Sequence, residues 1–407
     1  MTTSSAKPVV PASGMGLYVH VPFCKTKCPY CDFNTYQGIE NLMEPFLPAL
    51  TTEVECWGET LDHPAVKSVF FGGGTPSYLP PGYIEKILAS IQESFKVDPA
   101  AEITIEANPG DLDEAACAGI LAQGVNRLSI GVQSLDNGLL NLLGRRHQAS
   151  EAVQAFEAAR QAGFDNVNLD LMYGLPNQSM DQWRQTLDAL AELAPEHISL
   201  YALTLEEGTP MHRWAEEGKI PEPDPDLAAD MYLYARESLA SAGYHHYEIS
   251  NWSLPGRACE HNVVYWENGP YLGVGPGAHS RLGDYRFWTI LSPRDYNNKA
   301  AAWADAGVMP VNELVEDALQ AVPTLEGWEH LSQEITCSET MFLGLRLLDG
   351  LRLSKASARA GVDLAKKFQA PIQECIQLGL LEQDGDCLKL TKPAYLIANQ
   401  AFTRFLE

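Results

Sequence analysis

The sequence predicts an α/β protein with a smaller helical domain at its C-terminal end. Over the first two thirds of the chain, short apolar runs alternate with longer amphipathic runs. The alternation recurs about every 30 residues, which is typical of parallel βα units. Near residues 292–293 the composition shifts, and helical patterns dominate beyond that point. A chain of 407 residues is long enough for one large domain and one small one.

Six strand candidates are separated by helical patterns. We expect strands at residues 17–21, 66–71, 102–107, 127–131, 166–171 and 197–201, and helices at 81–95, 114–123, 151–162 and 180–193. A helix over 227–242 and strands over 244–249 and 271–274 would extend this unit. Periodicity alone leaves an open, doubly wound sheet and a barrel as alternatives.

The C-terminal part is expected to hold three helices, at residues 338–348, 354–360 and 364–378, and a hairpin at 380–390 around Asp384-Gly385. Three helices and a hairpin resemble a winged helix, which often binds DNA. The net charge is 28 − 53 = −25, and so acidic a surface repels phosphate backbones. We therefore expect no nucleic-acid partner and a domain that covers the larger one.

Composition also bears on the cellular setting. The sequence has no run of 18 apolar residues, so stable membrane insertion is not expected. Residues 1–14 are polar and contain proline and serine, which predicts a disordered tail without a leader pattern. Nine cysteines without disulfide-like spacing favour a reducing, cytoplasmic location.

Cys24, Cys28 and Cys31 follow the first predicted strand on one loop. A four-iron cluster normally takes four protein ligands, usually cysteines, so three thiolates would leave one iron open for chemistry or for an exchangeable ligand. The alternatives are a zinc site and three free thiols. A structural zinc site usually has a second cysteine pair, and the remaining cysteines are scattered singly.

A glycine loop follows the second predicted strand, in the run Gly72-Gly73-Gly74-Thr75-Pro76. Glycines there let the backbone approach a ligand closely and expose its N–H groups. A glycine run alone is a weak signal, since an ordinary turn also accounts for it. Its position one βα unit after the cysteines strengthens the indication of a binding site.

Together the two motifs resemble those of the radical S-adenosylmethionine (SAM) superfamily. The run Tyr18-Val19-His20-Val21-Pro22-Phe23-Cys24 more narrowly resembles the coproporphyrinogen III dehydrogenase-like branch. The resemblance implies a partial (β/α)6 TIM-like barrel at residues 15–291 and a helical, winged-helix-like domain at 292–407. It also implies a [4Fe-4S] cluster on the three cysteines, with SAM on the open iron.

Polar residues at the ends of later strands are candidates for binding SAM. Glu106 ends the third predicted strand, Gln133 follows the fourth and Asp170 lies within the fifth. A charged group in an otherwise apolar strand is costly unless it is paired or bound to a ligand. An arginine such as Arg145 can clamp a carboxylate. The resemblance assigns Gly73, Gly74, Thr75, Glu106 and Arg145 to the amino-acid end of SAM, Gln133 and Asp170 to its ribose, and Tyr18 to the wall beside the cluster. Internal salt bridges are the alternative for the carboxylates.

Three features separate haem chaperones from the dehydrogenase within this branch. The dehydrogenase has a fourth cysteine where this chain has Phe33, and a longer segment before the first strand. The block His261-Asn262-Val263-Val264-Tyr265-Trp266 resembles one in HemW-type haem chaperones. Imidazole can ligate haem iron and aromatic rings can face a porphyrin, so His261, Tyr265 and Trp266 are candidate haem residues. The competing histidines are His245, His246 and His279.

The resemblance thus implies a haem chaperone that passes haem to an apo-haemoprotein acceptor, and it also suggests a homodimer. The alternative in the same branch is an oxygen-independent coproporphyrinogen III oxidase that decarboxylates propionate side chains. A third alternative is a radical SAM scaffold for an unrelated substrate.

Overall fold

The structure is a computed structural model that describes residues 9–306 and 314–406. Residues 1–8 of the predicted tail therefore lie outside the described ranges. Of its other residues, Val9 and Val10 are half-buried and pack against the main hydrophobic core.

One twelve-stranded sheet organises the chain as far as residue 330. Its strands are β1 (Met15–Val21), β2 (Ala65–Gly73), β3 (Lys96–Ala107), β4 (Arg127–Gln133), β5 (Val167–Tyr173), β6 (His197–Ala202), β7 (His245–Glu248), β8 (Asn251–Ser253), β9 (Tyr271–Val274), β10 (His279–Leu282), β11 (Tyr285–Thr289) and β12 (Leu325–His330). The order is β12-β11-β10-β9-β1-β2-β3-β4-β5-β6-β8-β7, so the sheet is open, with β12 and β7 at its edges. Strands β1 to β6 are parallel neighbours, which confirms the predicted series of βα units.

Helices follow most of the strands along the chain. They are α1 (Met43–Thr60), α2 (Tyr83–Ser94), α3 (Glu114–Ala122), α4 (Asn137–Leu142), α5 (Ala149–Ala162), α6 (Met180–Leu193), α7 (Pro210–Glu216), α8 (Pro225–Ser241), α9 (Glu260–Trp266), α10 (Pro293–Ala306), α11 (Glu316–Ala321), α12 (Gln333–Gly344), α13 (Leu353–Ala360), α14 (Leu364–Lys367), α15 (Gln369–Gln377) and α16 (Asn399–Phe402). No helix within the described ranges is long and apolar enough to span a membrane.

The two faces of the sheet differ in chemistry. Leu17 and Val19 of β1 and Val69 of β2 are fully buried in the core under the helices, and each contributes about 1.5–3 kcal/mol through the hydrophobic effect. Residues alternate along a strand, so Tyr18 and Phe70 point to the opposite side. We call that side the inner face. The polar residues predicted at strand ends lie there.

The C-terminal domain has a core of its own. Helices α12 to α16 surround a three-stranded sheet of β13 (Leu351–Arg352), β15 (Cys387–Leu390) and β14 (Leu381–Asp384), in that order. The hairpin β14–β15 turns at Gly385, whose φ is +56°, as the Asp-Gly signal predicts. The predicted helices are present, with the third divided into α14 and α15 at Phe368.

The boundary between the two hydrophobic cores lies later in the chain than the predicted domain boundary at residue 292. Tyr296 and Trp303 of α10 belong to the core of the large sheet, and β12 pairs with β11. The second core runs from Cys337 to Phe405. Helices α10 and α11 and strand β12 therefore pack with the large sheet, because α10 buries its apolar side chains against the same core as α1.

Candidate functional site

A cavity of about 560 Å³ opens at the carboxyl ends of β1 to β6. Its walls come from the loop after β1, which carries the cysteines, the glycine loop after β2, and the ends of β3 to β6. Ten predicted site residues line it: Cys24, Cys28, Cys31, Gly73, Gly74, Thr75, Glu106, Gln133, Arg145 and Asp170. Parallel strands bring their carboxyl ends to one edge, which is why residues far apart in sequence meet here.

The three cysteines are half-exposed in the wall of this cavity. The hydroxyl of Thr75 donates to Cys24 Sγ at 3.6 Å, and Cys31 Sγ lies 3.8 Å from the hydroxyl of Thr35. Burial raises the pKa of the Cys24 and Cys31 thiols. Among the described residues, no three His, Cys, Asp or Glu side chains are grouped as ligands of a single metal ion.

The glycine loop is packed so tightly that larger residues do not fit. A Cβ at Gly74 would lie 2.6 Å from the Phe23 carbonyl oxygen and 2.7 Å from that of Val21, and backbone atoms cannot move aside cheaply. Gly73 has a φ of +105°, which side chains rarely adopt. The Gly74 amide donates to the Val21 carbonyl at the end of β1 and the Thr75 amide to the Phe23 carbonyl, so the glycine loop is joined to the start of the cysteine loop beside the cavity.

Two half-buried carboxyl groups, those of Glu106 and Asp170, face the cavity from neighbouring parts of the sheet. Burial, together with the charge of Asp170, raises the pKa of Glu106 to about 8, although the Gly73 amide donates to its Oε2 at 3.3 Å. Burial also raises the pKa of Asp170, which accepts hydrogen bonds from Asn168 Nδ2 and Ser129 Oγ. A carboxyl with a raised pKa at the wall of a cavity is suited to a cationic ligand, which would stabilise its ionised form.

Arg145 and Arg146 are placed differently although they are adjacent. Arg145 donates from Nη2 to the Gly131 carbonyl at 2.7 Å and from Nη1 to Cys28 Sγ at 3.5 Å, while its Nε is buried without a partner among the described residues. Burial opposes its charge, but Tyr30 and Cys28 outweigh that effect and raise its pKa. Arg146 is ion-paired with Asp111. Arg145 is therefore the arginine with an unused donor at the cavity.

Gln133 adopts a backbone conformation that is unusual for its residue type. Its φ is +65°, and the pairing of β4 with β5 shifts register between Gly131 and Gln133. Such strain is concentrated at functional sites, and here it occurs in a residue that lines the cavity. Tyr18, in contrast, is not among the lining residues. Its hydroxyl lies 3.1 Å from His20 Nδ1.

Several lining residues were missed in the sequence. Tyr201 and Met172 line the cavity from β6 and β5, and Leu203 and Thr204 follow β6. Tyr201 is 43% exposed. The sequence signal that could have identified Tyr201 is its position at the end of the sixth predicted strand. Phe33 also lines the cavity and is 64% exposed.

The candidate haem residues of the sequence lie together on α9, away from the cavity lining. His261 is 1% exposed, and both ring nitrogens are engaged: Nδ1 with Ser68 Oγ at 2.9 Å and Nε2 with Tyr265 Oη at 2.8 Å. Trp266 lies under the guanidinium of Arg346, 4.2 Å from the ring centroid. In this arrangement the imidazole of His261 presents no unoccupied nitrogen.

The three competing histidines have different surroundings. His246 stacks on Trp252 at 3.9 Å between ring centroids, and burial lowers its pKa to about 3. His245 is paired with Asp349 at 3.1 Å. His279 is exposed, and its ring stacks on Trp288 with centroids 5.9 Å apart.

Comparisons with known proteins agree with this architecture. The radical SAM superfamily model matches residues 18–190, and the HemN C-terminal domain model matches residues 331–397. The chain is 36% identical over 393 residues to "Heme chaperone HemW" of Mycobacterium tuberculosis, covering 96% of this chain and 94% of that protein. The protein of the same name from Lactococcus lactis is 33% identical over 389 residues, covering 96% of each. The solved structure of coproporphyrinogen III oxidase (HemN) from Escherichia coli superposes with a TM-score of 0.79 and 23% identity, over 96% of this chain and 90% of that one.

An open series of parallel βα units, with a three-cysteine loop and a glycine loop at one end of the sheet, defines a radical SAM protein. The fold predicted from the sequence is thereby confirmed. Within that class, the near full-length relatives show that the chain belongs to the HemW family.

Proposed function

We propose that the protein is a haem chaperone, which binds haem and delivers it to apo-haemoproteins while retaining a SAM-coordinated [4Fe-4S] cluster. The observation that carries the proposal is the relationship over 96% of the chain to proteins named as haem chaperones. The exposed Phe33 supports it, because this side chain takes the position of the fourth cysteine in the dehydrogenase. The net charge of −25 disfavours nucleic acid as a partner.

The residues of the cavity fit the two resident cofactors. Cys24, Cys28 and Cys31 would hold the cluster, because they are the half-exposed thiols that share one wall of the cavity. The unused Nε of Arg145 is suited to a carboxylate, and the Glu106 carboxyl to an ammonium. When bound, cluster and SAM would supply one-electron chemistry.

Iron content tests the cysteine assignment. The Cys28→Ala variant is expected to lose most of its iron and sulfide after anaerobic reconstitution. Cys387→Ala is the matched control, because Cys387 is also half-exposed but lies in the C-terminal hairpin. Equal iron in the two variants would overturn the assignment.

The proposed function itself is tested with the reconstituted wild-type protein. One sample is titrated with haem, and another is incubated with coproporphyrinogen III, SAM and a reductant, with products separated by chromatography. Stoichiometric haem binding without protoporphyrinogen supports the chaperone. Multiple turnovers to protoporphyrinogen would replace it with the oxidase alternative.

A further inference from the structure

The inner face of the sheet continues beyond β1 onto β9, β10 and β11. Tyr18 of β1 pairs with Gly273 of β9, and Arg281 of β10 pairs with Tyr271 of β9. His279 of β10 pairs with Trp288 of β11. Because directly paired residues and alternate residues share a face, His279, Arg281 and Trp288 lie on the same side of the sheet as Tyr18. We call these three residues the β10–β11 cluster.

His279 is the histidine of this cluster and has the features of a metal ligand. It is exposed, in contrast to His261, and its ring is contacted by the indole of Trp288. Partial burial of its ring and then the charge of Arg286 lower its pKa, which favours the neutral imidazole with its lone pair. Neutral imidazole is the form that ligates iron.

Among the described residues Arg281 makes no ion pair, although the nearby charge of Glu339 favours its charged form. Its Nε is buried without a hydrogen-bond partner among the described residues. The nearby carboxylate of Glu339 is ion-paired with Arg286 instead, and Arg286 also pairs with Glu329 at 2.7 Å. Burial lowers the pKa of Arg281. A partly buried guanidinium without an ion pair is unfavourable unless an anion binds, and its planar donors match a carboxylate.

Trp288 and two exposed apolar residues add a flat, apolar surface. The indole lies against β12, where a Cβ at Gly327 would come within 2.7 Å of ring atom Cζ2. Asn34 donates to the carbonyls of Pro276 and Leu291, so the cysteine loop adjoins the strands of the cluster. Phe33 and Leu291, 64% and 56% exposed, belong to these joined segments.

We infer that the β10–β11 cluster is a haem site, with His279 as an axial ligand of the iron and Arg281 paired with a propionate. The two residues are separated by one position on the strand and so by about 7 Å, which lets one flat ligand with a central metal and peripheral carboxylates reach both. Trp288 would contact the porphyrin plane. The inference rests on the proposed function, because it requires that the protein binds haem.

Haem titration of the full-length protein, followed by the Soret band, tests this site. We expect His279→Ala to weaken binding by about tenfold or more and to shift the band, and exogenous imidazole to restore the band in His279→Gly. His330→Ala is the matched control, since His330 is exposed on β12 of the same sheet but pairs with Tyr285, on the opposite face. His261→Ala is expected to retain the wild-type band.

A second comparison isolates Arg281. Arg281→Met should weaken haem by several-fold but leave the affinity for haem dimethyl ester unchanged, because the ester has no carboxylate to pair. If wild type binds haem while His279→Ala matches it in affinity and spectrum, the inference is overturned and the proposed function stands. If wild type does not bind haem, both fail.

Discussion

Arg145 Nη1 lies 3.5 Å from Cys28 Sγ, so the arginine that follows α4 is in direct contact with the cysteine loop. The same guanidinium donates to the Gly131 carbonyl at 2.7 Å, which fixes its orientation. Its Nε has no partner among the described residues. One side chain thereby connects the proposed cluster position with a free donor suited to the carboxylate of SAM.

Replacing Arg145 with alanine is expected to weaken SAM binding by about tenfold to a hundredfold, because a charge-assisted hydrogen bond is lost. Iron content should be unchanged, since the three cysteines remain. Calorimetric titration of SAM into the reconstituted variant measures the effect. Arg146→Ala is the control, because Arg146 is already ion-paired with Asp111. Equal SAM affinities in the two variants would refute the assignment.

The raised pKa of Glu106 predicts that the affinity for SAM depends on pH. Its pKa of about 8 is raised by burial and by Asp170, while the Gly73 amide and Arg127 oppose the shift. Below that pH the ligand-free carboxyl is protonated, and an ammonium must displace the proton to pair with it. Affinity should therefore rise as pH increases from about 6.0 to 7.5, by at most tenfold per unit.

The same titration of Glu106→Gln checks the cause of this dependence. The amide cannot ionise, so the variant should bind SAM more weakly and with little change over that interval. The interval ends below the pKa of an α-amino group, about 7.7–8.0, so that the ligand stays cationic. A slope in the variant equal to that of wild type would assign the dependence to another group.

The buried contacts of His261 predict that this residue has a structural role in holding α9 against the sheet. Its ring is 1% exposed and bonds both Ser68 and Tyr265, so His261→Ala would leave two buried hydroxyls unpaired beside a cavity. We expect a loss of about 2–4 kcal/mol in the free energy of unfolding, measured by urea denaturation. His279→Ala, an exposed substitution, should change it by less than about 0.5 kcal/mol. Equal stabilities would argue against this role.

Much of this arrangement was accessible from the sequence, because the relevant signals are local. The cysteine loop, the glycine loop and the ends of six strands are each recognisable within a few residues, and parallel strands bring them to one edge. The surroundings of His261 were not accessible in this way. Ser68 and Tyr18 contact its ring from β2 and β1, nearly 200 and more than 200 residues away in sequence, and only the folded sheet brings them together.

The extension strands were less predictable for a related reason. Strand β12 pairs with β11 across a connection that includes two helices, and no local pattern indicates that residues 325–330 return to the sheet. Arg281 likewise has no ion pair because the carboxylate of Glu339 is paired with Arg286, which lies on the neighbouring strand β11. Charge pairing of this kind is decided by tertiary contacts, not by sequence spacing.

The two domains are joined by an ion pair between a half-buried arginine and a buried carboxylate, and its loss should be measurable. Glu248 of β7 is fully buried, and its Oε2 lies 3.6 Å from Arg346, which follows α12 and also covers Trp266. Arg346→Ala would leave the carboxylate without its cation. We expect a loss of about 2–3 kcal/mol in the free energy of unfolding and faster proteolysis between the domains. Arg352→Ala, an exposed arginine of the same domain, is the control. The penalty arises from an unpaired charge, so the double variant Glu248→Gln with Arg346→Met should recover most of the lost stability. If the double variant does not recover it, the packing of Arg346 on Trp266 is the larger contribution.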